Sequence, residues 1–182
     1  MSGDDKKISF IGINNRYQIK KLTEKPKITK KKNTILTKIL ETSKEEQKKI
    51  LQEWNDENDK EEKYIEFKKL FNNALVKKIS SYKQQDIVKN KLNTEMLINK
   101  DEVIQQILES ELKCYYCKEE LYLLYENQRE KKQWTLDRIN NDLGHNRDNV
   151  VISCLECNLK RRNTNKDAFI FTKQLNIIKK EG

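Results

Sequence analysis

Residues 134–163 read WTLDRINNDLGHNRDNVVISCLECNLKRRN and contain the only histidine of the chain, His145. The stretch places a carboxylate, Asp137, at the end of one short apolar run, and an amide, Asn158, directly after a C-x2-C pair. The runs QWTLDRI and VVIS predict two strands, and CNLKRRN predicts a helix that follows the second strand directly. The stretch therefore predicts a strand, a loop, a second strand and a helix in close succession.

Two C-x2-C pairs accompany this unit, Cys114 with Cys117 and Cys154 with Cys157. Each pair can present two thiolates on one tight turn, and two such pairs complete a tetrahedral zinc site that has no position left for water. Disulfides or four unrelated buried cysteines are the alternative. The spacing predicts a structural Zn²⁺ ion whose binding energy contributes to folding.

The composition points to a polyanionic partner. The chain has 182 residues and a net charge of +9, with ten Lys/Arg and three Asp/Glu in residues 1–32. We interpret residues 1–35 as a basic flexible arm that neutralises phosphates of DNA, with RNA as the alternative partner; a solvated leader explains the same charge equally well. Neither an apolar run of the roughly 18 residues that span a membrane nor a signal peptide is found. We therefore expect a soluble, intracellular protein that is not secreted and has no membrane partner.

Residues 36–110 show helical patterns. Ser43 with Glu46 and Asn99 with Glu102 predict capping boxes. Apolar spacing predicts a helix over about 60–81, followed by a shorter helix around 85–92. Further along the chain, ELYLLYE predicts a strand, and Thr164 with Asp167 predicts the start of a last helix; its apolar positions are Phe169, Phe171, Leu175 and Ile178. The resulting fold class is α+β.

The order of the strand-end acid, the Asn-Val pair and the Cys-Asn pair between zinc knuckles resembles the HNH endonucleases of the ββα-metal (His-Me finger) fold. The similarity is greatest to their zinc-containing Leu-Asp-Arg-Ile variants in phages and large DNA viruses, and it covers about residues 112–178. It implies a zinc-stapled ββα-metal module over 111–182 and metal-dependent hydrolysis of DNA phosphodiester bonds; the helical region over 36–110 follows from the apolar spacing alone. A nuclease-like module that binds nucleic acid but has lost its activity is the alternative, and a zinc-organised adaptor for proteins is a third.

The resemblance also implies roles for single residues. Asp137 and Asn158 would hold one catalytic Mg²⁺ or Mn²⁺, because both offer hard oxygen donors. Asn149 would fix the loop between the strands. Arg138 stands where the family has its general base, but a guanidinium cannot accept a proton at neutral pH. Asn140, acidic in many relatives, removes another possible base.

His145 is the one imidazole that could activate a water molecule, and we expect Gly144 to permit a φ > 0 turn that folds the ring over the metal. An exposed loop residue or a phosphate contact is the competing interpretation of His145. The basic residues of the helix, together with Arg138, are predicted to contact phosphates; on the helix they are Lys160, Arg161 and Arg162. An ordinary solvated helix face is the alternative for that run.

Overall fold

The computed structural model describes residue 39 and residues 41–54 and 61–175. Five helices and a two-stranded sheet follow one another in the described part of the chain: α1 (Lys44–Gln52), α2 (Glu62–Val88), α3 (Lys100–Glu109), β1 (Trp134–Arg138), β2 (Val150–Cys154), α4 (Leu155–Arg161) and α5 (Lys166–Gln174). The predicted α+β class is confirmed. The predicted basic arm over 1–35 lies outside the described residues.

Both predicted capping boxes are confirmed. Ser43 accepts a hydrogen bond from the backbone N–H of Glu46 and its own N–H donates to the Glu46 carboxylate at 2.7 Å. Asn99 and Glu102 repeat the arrangement at the start of α3. Each box satisfies backbone donors that a helix start otherwise leaves unpaired.

Helix α2 is longer than predicted. The segments at 60–81 and around 85–92 form one helix, Glu62–Val88, because no glycine or proline interrupts residues 61–92. The helix is about 40 Å long at 1.5 Å per residue. It buries an aromatic and aliphatic stripe near its start and a single acid, Asp86, near its end. One helix therefore contacts two distant parts of the molecule.

Strands β1 and β2 pair antiparallel with Trp134 opposite Cys154 and Asp137 opposite Val151. The predicted strand in ELYLLYE is wrong: this segment makes only isolated bridges, including Tyr122 with Gln133. Its alternating side chains are buried and exposed in turn, with Leu123 buried and Tyr122 exposed. The alternation therefore reflects packing on one side of the segment, without the continuous ladder that defines a strand.

The last helix, α5, begins one residue later than predicted. Asn165, and not Thr164, is its N-cap, and its side chain accepts from the backbone N–H groups of Asp167 and Ala168. Phe169 is buried, whereas Phe171 and Leu175 are exposed; Ile178 lies outside the described residues.

One hydrophobic core joins the helices to the cysteine-rich half of the chain. Trp134 of β1 is fully buried and meets the ring of Phe71 of α2 edge-on, with ring centroids 5.9 Å apart. Its indole N–H donates to the carbonyl of Leu123, and the Lys78 ammonium lies 4.7 Å above its ring. The core is therefore continuous across residue 110, where the sequence changes from helical patterns to the cysteine-rich segment.

We predict that Phe71→Ala lowers the free energy of unfolding by about 3–5 kcal/mol, because it leaves a cavity beneath Trp134. Val76→Ala on the exposed side of the same helix should change it by less than about 0.5 kcal/mol. Guanidinium unfolding of the zinc-saturated chain measures both. Equal losses in the two variants would show that α2 does not support β1.

Candidate functional site

The four cysteines converge on one point. Their sulfur atoms all lie within 4.8 Å of one another, and the Sγ atoms of Cys117 and Cys154 are 4.0 Å apart. Tetrahedral Zn–S bonds of about 2.3 Å require sulfurs about 3.8 Å apart, so the cluster could hold a zinc ion. No disulfide joins these four cysteines.

Backbone N–H groups donate hydrogen bonds to two of the four cysteine sulfurs. Cys114 Sγ accepts from the backbone N–H of Cys154 at 3.2 Å, and Cys154 Sγ accepts from that of Cys157 at 3.3 Å. Hydrogen bonds from the Cys154 and Cys157 thiols lower the pKa of Cys114. Hydrogen bonding to Cys114 in turn raises the pKa of Cys154 to about 12 and raises that of Cys157. Negative charge is therefore favoured on Cys114 over Cys154 and Cys157, whose thiols stabilise it.

The carboxylate of Asp137 is buried and already paired. It accepts from Nε and Nη2 of Arg161 at 2.6 and 3.0 Å and from the Tyr116 hydroxyl at 2.6 Å. Burial and the hydrogen bond to Asp137 raise the pKa of Tyr116, so this phenol is a donor. Tyr116 lies between the first two cysteines, and Arg161 lies one helical turn after Cys157. The segments that carry the two cysteine pairs thus carry both partners of Asp137.

Arg161 does not lie on the exposed basic face that the sequence predicted. The residue is 1% exposed, and its guanidinium also donates to the carbonyls of Arg138 and Thr164. The buried Asp137 carboxylate is stabilised by the buried Arg161 guanidinium, and this pairing accounts for the inward position of Arg161. The signal available in the sequence was the spacing of three residues between Asn158 and Arg161, which puts both on the same face of α4.

Asn158 and Asp137 lie on the same side of β1. The Asn158 amide donates to Thr135 Oγ1 at 3.1 Å and to the carbonyl of Leu136 at 3.2 Å. Thr135 and Asp137 are two residues apart on a strand, so their side chains point to the same face. The structure therefore brings the two predicted metal ligands to one region.

A dication at this place would meet suitable donors and an opposing charge. Asp137 Oδ2 has two hydrogen-bond donors and Oδ1 has one, which leaves one lone pair on Oδ1. Asn158 uses its NH₂ group for the bonds to β1, and its carbonyl oxygen is a hard donor. The guanidinium of Arg161 repels a cation from the same carboxylate. The oxygen donors of these residues are of the type that Mg²⁺ or Mn²⁺ prefers. A dication can bind Asp137, however, only after Arg161 releases the carboxylate.

The side chain of Asn149 connects two parts of the loop between the strands by hydrogen bonds. Its amide donates to the carbonyls of Asn140 and Gly144, both at 2.9 Å, and its oxygen accepts from the N–H of Asn140 at 2.9 Å. Because Asn149 is buried, these three bonds satisfy a side chain that has little access to water. The loop that carries His145 is therefore fixed at its base.

His145 is buried against helix α2. Its Nδ1 lies 2.9 Å from Oδ1 of Asp86, and its backbone N–H donates to Oδ2 of Asp86 at 2.7 Å. Gly144 is needed for space and not for a left-handed turn: a Cβ there would lie 2.5 Å from the Lys91 carbonyl oxygen and 2.9 Å from the Asp86 carboxylate. Asp86 was not predicted as a site residue. In the sequence it is one acidic residue within a polar part of a helical segment, and no motif distinguishes it.

The other predicted phosphate contacts lie at or near the surface. Arg138 is half-buried and donates to the carbonyl of Leu143 at 3.1 Å. Lys160 is exposed and pairs with Glu156 at 2.7 Å, and Arg162 is exposed at the end of α4 with φ of 52°. Three of the four predicted nucleic-acid contacts thus have access to solvent.

Comparison of the chain with protein-family models, with curated proteins and with solved structures finds no match. In the described ranges, no helix is both long enough and apolar enough to cross a membrane.

Zinc affinity should rise steeply with pH. The pKa values of Cys154 and Cys157 lie above neutrality in the metal-free cluster. Zinc binds thiolates, so both protons must leave, and the logarithm of the apparent affinity should increase by at least about two per pH unit around neutrality. Competition with a chromophoric chelator measures this slope. A slope near zero, or no bound metal in the native chain, would contradict a four-thiolate site.

Removing one partner of the buried ion pair should be costly. Asp137→Asn leaves the Arg161 guanidinium buried without a counter-charge, and we expect a loss of about 3–5 kcal/mol in unfolding free energy. The double variant Asp137→Asn/Arg161→Met should lose less than Asp137→Asn alone. Lys160→Met, on the same helix but in an exposed pair, should change stability little. Denaturant unfolding at saturating zinc measures all three, and a double variant less stable than the single one would refute the pairing.

Proposed function

We propose that this protein is a metal-dependent endonuclease that hydrolyses DNA phosphodiester bonds, nicking one strand at each site. The observation that supports this proposal is the placement of Asp137 and Asn158 on one side of β1, at the junction of two antiparallel strands and a following helix. Asn149, which holds the intervening loop, completes the arrangement that the HNH resemblance implies.

In this proposal Asp137 and Asn158 hold Mg²⁺ or Mn²⁺, which stabilises the negative charge that develops on the leaving oxygen. Arg161 must leave Asp137 for the dication to bind there. A phosphate group of DNA is an equally good partner for a guanidinium, so substrate binding offers Arg161 a replacement anion. Arg138, half-buried at the end of β1, can hold a phosphate but cannot take a proton from water.

The charge of the chain supports a nucleic-acid substrate. The excess positive charge is concentrated in residues 1–32, and exposed Lys160 and Arg162 lie at the end of α4. Contacts of this kind release counterions from the phosphate backbone, so binding should weaken with the logarithm of salt concentration. The same contacts do not distinguish one sequence from another.

A second candidate is a zinc-stapled module that binds nucleic acid without cleaving it. It is favoured by the Asp137 carboxylate, which in this structure is saturated on one oxygen and ion-paired with Arg161. In that case the strand-end acid is purely structural.

A plasmid-nicking assay separates the two. The native chain, loaded with zinc, should nick supercoiled plasmid when Mg²⁺ or Mn²⁺ is added and should be inactive without an added dication. Asn158→Ala should reduce the rate by on the order of 10²-fold or more, since it removes a ligand for the metal that stabilises the transition state. Asp137→Ala alone is a poor test because it also leaves Arg161 unpaired; Asp137→Ala/Arg161→Met keeps the charge balanced and should be inactive.

Val76→Ala, on the exposed side of α2, is the control for nonspecific effects, and circular dichroism and zinc content verify folding of every variant. DNA binding by the native chain with no nicking in either dication would establish the second candidate. Cleavage of an RNA duplex but not of plasmid would show that the substrate is RNA and not DNA, with the same hydrolytic mechanism. Absence of binding to either nucleic acid would reject both candidates.

A further inference from the structure

Helix α2 supplies an acid to the only histidine of the chain. We propose that Asp86 is a positioning residue: it holds the His145 imidazole with Nδ1 protonated, so that Nε2 can accept a proton from the attacking water. This inference rests on the proposed phosphodiester hydrolysis. It assigns a role in that reaction to a residue of the helical region, outside the stretch that resembles the HNH endonucleases.

Asp86 contacts His145 at two points, one on the ring and one on the backbone. One carboxylate oxygen is 2.9 Å from Nδ1 of the ring, and the other accepts the backbone N–H of the same residue at 2.7 Å. A carboxylate can only accept hydrogen bonds, so Nδ1 must carry the hydrogen and the neutral ring keeps its lone pair on Nε2. Nε2 has no hydrogen-bond partner among the described residues. The arrangement therefore leaves the lone pair of Nε2 without a hydrogen-bond donor, as a general base requires.

The ring is held on its other sides as well. The ring of Tyr82 stacks on the imidazole with centroids 4.4 Å apart, and the Tyr82 hydroxyl accepts from the backbone N–H of Leu136 at 3.1 Å. Leu136 precedes Asp137, so Tyr82 links the imidazole directly to the strand end. The space left by Gly144 lets the loop approach Asp86, and Asn149 holds the carbonyl of Gly144. A single orientation of His145 is therefore stabilised.

Burial is the main effect that favours a neutral imidazole. Burial lowers the pKa of His145, the Asp86 carboxylate opposes this effect, and the cations of Arg138 and Lys89 lower the pKa further. Arg138 also donates to the carbonyl of Leu143, two residues before His145, so the Arg138 guanidinium contacts the loop that carries the imidazole. A neutral base beside a phosphate-binding cation is a suitable pair for hydrolysis.

The proposed step is balanced without another reactant. Nε2 takes one proton from water while the water oxygen bonds to phosphorus and the P–O3′ bond breaks. The 3′ oxygen leaves with a proton from solvent, and the imidazolium returns its proton to solvent.

The tautomer can be read directly because the chain has one histidine. A long-range ¹H–¹⁵N spectrum of the full-length, zinc-loaded, ¹⁵N-labelled chain at neutral pH should show a single imidazole with Nδ1 protonated and Nε2 unprotonated. This measurement needs no variant. A ring with Nε2 protonated, or one that is charged at neutral pH, would overturn the proposal.

The pH profile of nicking tests whether this orientation serves the reaction. Asp86→Asn should lower the maximal rate about tenfold or more and shift the acidic limb of the profile to lower pH, because loss of the negative charge lowers the His145 pKa further. His145→Gln should lose at least about 10²-fold. Asp148→Asn, an exposed charge change in the same loop, should leave the rate and the limb unchanged.

If the Asp86 contacts served only to stabilise the fold, Asp86→Asn should lower the amount of folded protein without shifting the acidic limb of the pH profile. That result would overturn the proposal. Native nicking that is unchanged in both Asp86→Asn and His145→Gln would reject the positioning role and leave the endonuclease intact. A native chain that does not nick DNA rejects the endonuclease, and the catalytic role of Asp86 with it.

Discussion

The convergence of four thiols on one point is the constraint on which the second half of the chain depends. Cys154 ends β2, and its sulfur caps helix α4 through the N–H of Cys157. Cys114 brings the first knuckle to this junction by accepting from the N–H of Cys154. A strand pair and a helix of seven residues have little apolar surface of their own, so a metal bound here contributes folding energy that their packing cannot supply.

The cysteine cluster also determines the surroundings of Asp137. Tyr116 is carried by the first knuckle and Arg161 by the helix that the second knuckle begins. Both reach the carboxylate, so the strand-end acid, the helix and the cysteine cluster form one connected unit in the interior. A charge buried in this way is stable only with its partner, and any chemistry at Asp137 depends on how readily Arg161 can exchange one anion for another.

Local features of the fold were predictable from residues close together in the chain. The capping boxes at Ser43 and Asn99 and the strands around Trp134 and Val150 follow from short-range hydrogen bonding and apolar alternation. The prediction failed at ELYLLYE because one-sided burial resembles strand alternation. It also divided α2 in two, because the apolar stripe that predicted the first segment does not continue through residues 81–88 although the helix does.

The sequence by itself determined the spacing of the four cysteines, the order of Asp137, Asn149 and Asn158, and the helical character of residues 62–88. Only the tertiary structure decided which buried polar and charged groups meet. Arg161 belongs to a basic run in the sequence but is buried on Asp137, and Asp86 lies 59 positions before His145 but holds its ring. The physical reason is that burial requires each polar or charged group to find a hydrogen-bond or ion-pair partner. That partner is chosen by proximity in space, which no local pattern in the chain records.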